Sequence, residues 1–369
     1  MTDEKPTMMT YIKATPEQLA TNTRDAHDIT RSLVDAYVSG GYERVVIVAC
    51  GSSANGSQCA LPLMIKYLRQ DVQVVPPETF NCCKHALGKT DFVFAVSQSG
   101  CSTNTIATLD RLREMGRLSI GLTGNVGADF KDHADLLVDW CVGTENVGYV
   151  TKGVTTLAQF LMLFALGASQ AKGLTSDRDY AAVMAEMAQV SERHEVVQRE
   201  TNEFYERNRA ALTSLGAVYS CGFAQGYGVA CESALKIGET IKVPSFAYEA
   251  EEYIHGPHLQ LTPKYTAFFY DDLGVCGERL HTIYRATRTV TDYAYAVTNS
   301  PEVDDAHAVR LPFEIGEPLL APLYVLPFCQ TIAFRASTEL SSWDSHPLLS
   351  QFGDIAATKT KSISQVMPY

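Results

Sequence analysis

The chain has 369 residues, 46% of them hydrophobic and 20% charged, which is an ordinary composition for a folded protein of two lobes of roughly 150 residues each. A formal net charge of −12 argues against a general nucleic-acid binder, because phosphate backbones are held by clustered Lys and Arg. It does not exclude a small phosphorylated ligand at a locally positive site.

The opening Met-Thr-Asp-Glu-Lys-Pro lacks the basic-then-apolar order of a secretory leader. Residues 1–40 have helical periodicity, with Ile12, Leu19, Ile29, Leu33 and Tyr37 as the expected buried positions. A first α/β unit is predicted over 41–170. Its opening run, Arg44 to Cys50, is continuous and β-branched, as in a strand buried on both faces of a parallel sheet. Similar runs follow at Val72 to Val75, Phe92 to Val96, Leu118 to Leu122 and Leu136 to Trp140. Helical segments separate them, for example Gln58 to Leu68 and Thr105 to Met115.

From Thr155 to about Arg209 the pattern is helical and charged toward its end, which predicts a solvated connecting helix pair, with 171–212 as the connector proper. The apolar run Leu157 to Leu166 has about half the length needed to cross a bilayer. No membrane association is expected. A second unit is predicted over 213–345, starting with a strand at Ala217 to Cys221 and with further strands near Ala267 to Tyr270 and Tyr293 to Val297. Residues 346–369 form a tail. The predicted class is therefore α/β: two doubly wound, flavodoxin-like parallel-sheet subdomains in tandem, joined by helices.

Each unit has a glycine-rich turn after its first strand, Gly51-Ser-Ser-Ala-Asn-Gly and Gly222-Phe-Ala-Gln-Gly-Tyr-Gly. Such turns place ligands at the carboxyl edge of a sheet. Neither is a dinucleotide fingerprint, and no acidic residue is suitably placed after the first, so no cofactor is expected. The ten cysteines have apolar neighbours and no zinc spacing, and are expected to be reduced core residues of a cytoplasmic protein.

Two stretches carry chemistry. Ser97-Gln98-Ser99-Gly100-Cys101-Ser102-Thr103 follows a buried-type strand and opens a helix near Thr103 or Asn104. A helix N-terminus offers unpaired N–H groups and a partial positive charge, and the side chains add donors. With no Lys or Arg between Asp91 and Leu109, a phosphate here would depend on backbone and hydroxyl donors. The same stretch also fits an ordinary Ser-rich capping turn. Far downstream, Glu232, Lys236 and Glu239 recur at spacings of four and three, sharing one helix face, and His255-Gly256-Pro257 follows. These groups form an acid–base set or, equally on pattern alone, a solvated helix face and a structural loop. Glu249, Glu251 and Glu252 lack metal-ligand spacing and read as a solvated or loop-capping run; no metal is expected.

Taken together, ACGSS (49–53), SQSGCST (97–103), ENVGYVTKGVTT (145–156), ESALKIGE (232–239), His255-Gly-Pro and KSIS (361–364) resemble the sugar isomerase (SIS) proteins. More narrowly, they resemble the isomerase half of glucosamine-6-phosphate synthase and the related fructosamine-6-phosphate deglycases and amino-sugar-phosphate deaminases. The resemblance implies that Ser53, Ser97, Gln98, Ser99 and Ser102 hold the sugar phosphate and neighbouring hydroxyls. It implies that Glu239 is the base moving a proton between C1 and C2, that Glu232 and Lys236 line the site, and that Lys361 forms a Schiff base with the open-chain ketose. His255 would open the sugar ring from a neighbouring subunit, which implies a homodimer or higher homo-oligomer with a shared active site.

There are departures from the family pattern. Cys101-Ser102 stands where Glu-Thr is common, and Val150 replaces a sugar-binding serine beside a bulky Tyr149, hinting at a differently shaped substrate. Lys359 lies two residues before Lys361. The glutaminase half of the synthase is absent from this sequence, which favours a C–N-cleaving deglycase or deaminase over an isomerase or a synthase-like subunit. A pure sugar-phosphate sensor is disfavoured by Glu239, His255 and Lys361 occurring together.

Overall fold

The computed structural model describes residues 5–83, 87–143 and 145–366. Two compact units emerge, one built on Gln18–Met184 with the tail from Ser345, the other on Thr7–Glu17 with Ala185–Asp344. The first contains a five-stranded sheet of β1 (Arg44–Val48), β2 (Asp71–Val75), β3 (Asp91–Ser97), β4 (Ile120–Thr123) and β5 (Leu136–Asp139), in the order β2-β1-β3-β4-β5. All its pairings are parallel. The second contains β6 (Ala217–Gly222), β7 (Ser245–Glu249), β8 (Tyr265–Tyr270), β9 (Ala294–Val297) and β10 (Ala308–Val309), in the order β10-β9-β8-β6-β7. These too are parallel, and the order is the same flavodoxin-like one repeated. The α/β class and the tandem repeat hold.

Central strands are largely apolar because both faces are covered; every residue of β3, Asp91 and Ser97 at its ends included, is buried. In the first unit Phe92 is packed edge-on to Tyr37 (ring centroids 5.2 Å apart) and stacked on Phe164 (6.2 Å). In the second, Phe268 stacks on Tyr295 and meets Phe328 edge-on. Aromatic pairs of this kind add to the area they bury.

Several expectations need correction. The Lys152–Ala171 helix is not a solvated connector: seventeen of its residues are buried, because it is apolar all round and so serves as a core helix. It and the Pro318–Glu339 stretch are long and apolar enough to cross a membrane by length and composition, yet 83% of that window in each is buried inside the protein. Beyond the Asp177–Ala188 helix, the Val190–Leu212 helix buries His194, Val197, Phe204 and Tyr205 along one face. Strand β7 was not expected, because its pattern is neither continuous nor cleanly alternating and Phe246 is exposed. Leu118 precedes β4 and is exposed, while Ile29 is only half-buried and Thr30 takes the buried position. Cys59, Cys101, Cys221 and Cys329 are buried as expected, whereas Cys50, Cys82 and Cys83 are exposed, at a strand end and in the last turn of a short helix.

Phe92→Ala should destabilise the protein by about 3–5 kcal/mol, read from denaturant unfolding, since the rigid aromatic cluster around it cannot fill the void.

Candidate functional site

In the first unit the chain order reverses between β1 and β3, which pair in parallel from Arg44↔Asp91 to Val48↔Ala95. Ligands of doubly wound sheets bind outside the carboxyl ends at such a switch point. Two loops meet there. The Gly51 turn opens the Ser52–Leu68 helix, with Ser53 half-buried in its first turn. The Ser97–Ser102 loop opens the Thr103–Glu114 helix, as expected. Asn104 Nδ2 reaches Cys50 Sγ across the two (3.6 Å).

Ser97, Ser99 and Ser102 are buried in this loop, and the Ser97 and Ser102 hydroxyls are 2.9 Å apart. Gly100 makes the turn possible. Its φ is +65°, and a Cβ would come within 2.8 Å of the Ala128 Cβ and 3.2 Å of the Asn125 carbonyl. Its N–H bonds back to the Ser97 carbonyl, and its own carbonyl accepts from Phe130 N–H.

Gln98 is engaged differently from its neighbours. Its Nε2 donates to Glu145 Oε2 at 2.5 Å. Glu145 is buried and caps the Lys152–Ala171 helix from outside, accepting from the backbone N–H groups of Thr151 (2.9 Å), Lys152 (2.6 Å) and Gly153 (2.9 Å). Burial raises the Glu145 pKa, and these four donors oppose that. The Gln98 amide therefore ties the cradle loop to a core helix. Glu145 lies in a stretch that carried the family resemblance, but its capping role has no sequence signal, since the residue it caps is six positions on.

The tail completes the cradle. Residue 359 forms an isolated antiparallel bridge with Ser102; Thr103 N–H donates to the Thr358 carbonyl (3.3 Å) and Thr360 N–H to the Cys101 carbonyl (2.9 Å). The Lys359 stem is exposed, but its Nζ reaches Ser102 Oγ at 2.8 Å and Ser99 Oγ at 3.2 Å. Desolvation lowers its pKa. The tail lysine that the structure brings to the cradle is thus Lys359; Lys361, which the resemblance of the KSIS motif implies, stands exposed in the following turn.

In the second unit, β6 passes directly into the Ala224–Thr240 helix. A Cβ at Gly226 would lie 2.5 Å from the Tyr270 carbonyl, so glycine lets the helix sit against β8. Ser233 fixes its rotation, accepting from Ser220 Oγ and Tyr270 Oη. Glu232 and Lys236 are thereby fully buried and Glu239 half-buried. Lys236 Nζ lies 3.2 Å from Glu232 Oε1 and 2.5 Å from Glu239 Oε1. Burial pulls the Lys236 pKa down, but the two carboxylates outweigh it and hold the ammonium charged. For Glu239 burial is the larger influence, and its pKa is raised despite Lys236.

His255 ends the Ala250–Ile254 helix and is exposed; the turn after it is held by Tyr219 Oη donating to the Pro257 carbonyl (3.0 Å). Glu249 caps that helix through the N–H groups of Glu251 and Glu252, and Glu251 pairs with Arg279, so this acidic run has structural employment. Among the described residues no cluster suited to a metal ion occurs. Where the first unit has its serine loop after β3, the second has Asp271 and Asp272 after β8. Asp271 is buried and accepts from His281 Nε2 (2.9 Å) and from Thr298 Oγ1. This edge is acidic and internally bonded, so it does not suit an anion.

No family model matches the chain. Its sequence is 27% identical over 221 residues, 58% of this chain, to an isomerising glutamine–fructose-6-phosphate aminotransferase from Caldanaerobacter subterraneus, and covers 35% of that protein. Across such curated relatives the chain spans about a third to a half of their length. Among solved structures, a candidate phosphosugar isomerase from Clostridium difficile matches with TM-score 0.86 at 22% identity, covering 96% of this chain and 99% of that one. A glucosamine-6-phosphate deaminase from Thermotoga maritima matches with TM-score 0.72 at 18% identity, over 92% and 97%.

Glu145→Gln places a donor against backbone donors and should cost about 1.5–3 kcal/mol in urea unfolding, the range for hydrogen bonds to a charged group; an unchanged midpoint would mean the cap is not a stabilising element. The chain is a homologue of the isomerising glutamine–fructose-6-phosphate aminotransferases and has the fold of the sugar isomerases.

Proposed function

We propose that this protein is an enzyme of phosphosugars that moves a proton on the carbon next to a carbonyl or imine, in the service of breaking a C–N bond in an amino-sugar phosphate or ketosamine phosphate. The observation that carries the reading is the Glu232–Lys236–Glu239 set. A half-buried carboxylate with a raised pKa is oriented by an ammonium that is itself held charged by a second, fully buried carboxylate. A base tuned toward neutral pH is what proton abstraction beside a carbonyl requires.

The roles follow from that chemistry. Ser97, Ser99 and Ser102, with Ser53 on the adjoining loop, receive the phosphate, and Gln98 steadies the loop from behind. His255 passes a proton to the ring oxygen as the sugar opens. In the open-chain amino sugar Glu239 takes a proton from the carbon beside the carbonyl and returns it one carbon away, so that the amine-bearing carbon becomes an imine. Lys361 adds to that imine and the amine leaves, and water then hydrolyses the lysine imine to give the sugar phosphate and free Lys361. The names of the aminotransferase relative and of the deaminase with the same fold both concern an amino group on a sugar phosphate, which supports amine chemistry at this site. The enzyme acts as a cytoplasmic homo-oligomer.

The test is product release from glucosamine 6-phosphate, fructoselysine 6-phosphate, glucoselysine 6-phosphate and fructose 6-phosphate. Ammonia or lysine should appear with a sugar phosphate. Ketose–aldose interconversion alone would make the protein an isomerase, and binding with no product would make it a sensor. Glu239→Gln should lower turnover by about 10²–10⁴-fold and leave phosphosugar affinity within a few-fold.

Glu239 works ionised, and its pKa is raised, so kcat/KM should fall with decreasing pH at a value above the usual carboxylate range near ~4.3. An acid limb at the ordinary carboxylate value would separate Glu239 from the rate-determining base.

A further inference from the structure

The cradle poses an electrostatic problem. A sugar phosphate brings close to two negative charges to a chain of net charge −12, and the loop that would receive it has no basic residue from Asp91 to Asp110. Hydroxyls and a helix N-terminus offset part of that charge. The tail already spends one first-turn donor, Thr103 N–H, on the Thr358 carbonyl. What the same tail segment brings in exchange is an ammonium, Lys359 Nζ, set between the Ser99 and Ser102 hydroxyls.

We infer that Lys359 is the counter-cation of the phosphate. On arrival of the ligand its ammonium turns from the two serine hydroxyls to the phosphate oxygens, and the 357–360 backbone, paired with residues 101–103, holds it there. The inference rests on the cradle being the phosphate site.

Three observations carry it. The residue is held by backbone, through the Thr358 carbonyl, the Thr360 N–H and the Thr103 hydroxyl donating to the Ala357 carbonyl (2.9 Å), so the lysine is delivered at a fixed depth. Its hydrogen-bond partners are the neutral hydroxyls of Ser99 and Ser102. An ammonium in that setting gains a charge-assisted bond when an anion enters. Finally, the division of labour leaves Lys361, two residues on and exposed, free of the phosphate and available to the carbonyl end of the sugar.

The test is calorimetric titration of the full chain with inorganic phosphate, fructose 6-phosphate and fructose, using wild type, Lys359→Met, Lys359→Arg, Lys361→Met and Ser102→Ala. Lys359→Met keeps the stem and the backbone pairing. It should weaken both phosphate ligands roughly 10- to 100-fold, the equivalent of one charge-assisted hydrogen bond, with fructose unaffected. Lys359→Arg should restore most of that loss, and Lys361→Met should leave inorganic phosphate binding as in wild type. If Lys359→Met binds phosphate like wild type while Ser102→Ala does not, the cradle stands and the role of Lys359 falls. If wild type and Ser102→Ala bind phosphate equally weakly, the cradle reading itself fails. Borohydride trapping with fructose 6-phosphate gives an independent check. An adduct on Lys361 agrees with the assignment, whereas an adduct on Lys359 overturns it, because that nitrogen would be bonded to the sugar.

Discussion

Taking a charge out of water costs several kcal/mol unless partners meet it, and this constraint organises both units of the protein. Glu145 is buried because three backbone N–H groups and the Gln98 amide converge on it. Lys236 is buried because Glu232 and Glu239 flank it one helical turn away on either side. In each case the partner set ties down a neighbouring group. Glu145 holds the loop that follows β3 through Gln98, and Lys236 pairs with Glu239, whose pKa burial raises despite that pairing.

The two sheets share a strand order but not a chemistry. After β3 the chain makes a glycine-dependent turn lined with hydroxyls, and at the equivalent place after β8 it makes a turn of two inward aspartates. The second unit instead carries the Glu232–Lys236–Glu239 set on the helix following β6, where Gly226 allows close packing and Ser233 sets the rotation. The repeated fold thus carries a hydroxyl-lined turn at one sheet edge and, in the other unit, a helix with a buried Glu–Lys–Glu set. Fold and site are separate arguments, and the second rests on named side chains.

Much of the scaffold was legible in the sequence because a strand buried on both faces leaves a continuous apolar run. β1, β3 and β6 are of this kind. β7 was missed because it is an edge strand with a mixed pattern, and the Lys152–Ala171 helix was misjudged because its polar ends hid an all-round apolar middle. The helical spacing of Glu232, Lys236 and Glu239 gave their shared face directly. Which tail lysine enters the cradle was not legible, since it depends on an antiparallel bridge between residues more than 250 positions apart. The direction of the Gln98 amide was hidden for the same reason, its partner being tertiary rather than local.

The most direct test of the central claim is proton NMR of fructose 6-phosphate and glucosamine 6-phosphate incubated with the wild-type protein in heavy water. If Glu239 exchanges a proton on the carbon beside the carbonyl or imine, deuterium enters the sugar at C1 or C2, and does so whether the enzyme goes on to isomerise or to break a C–N bond. A phosphosugar that binds saturably yet keeps all its carbon-bound protons would contradict the claim and leave a binding protein in the place of an enzyme.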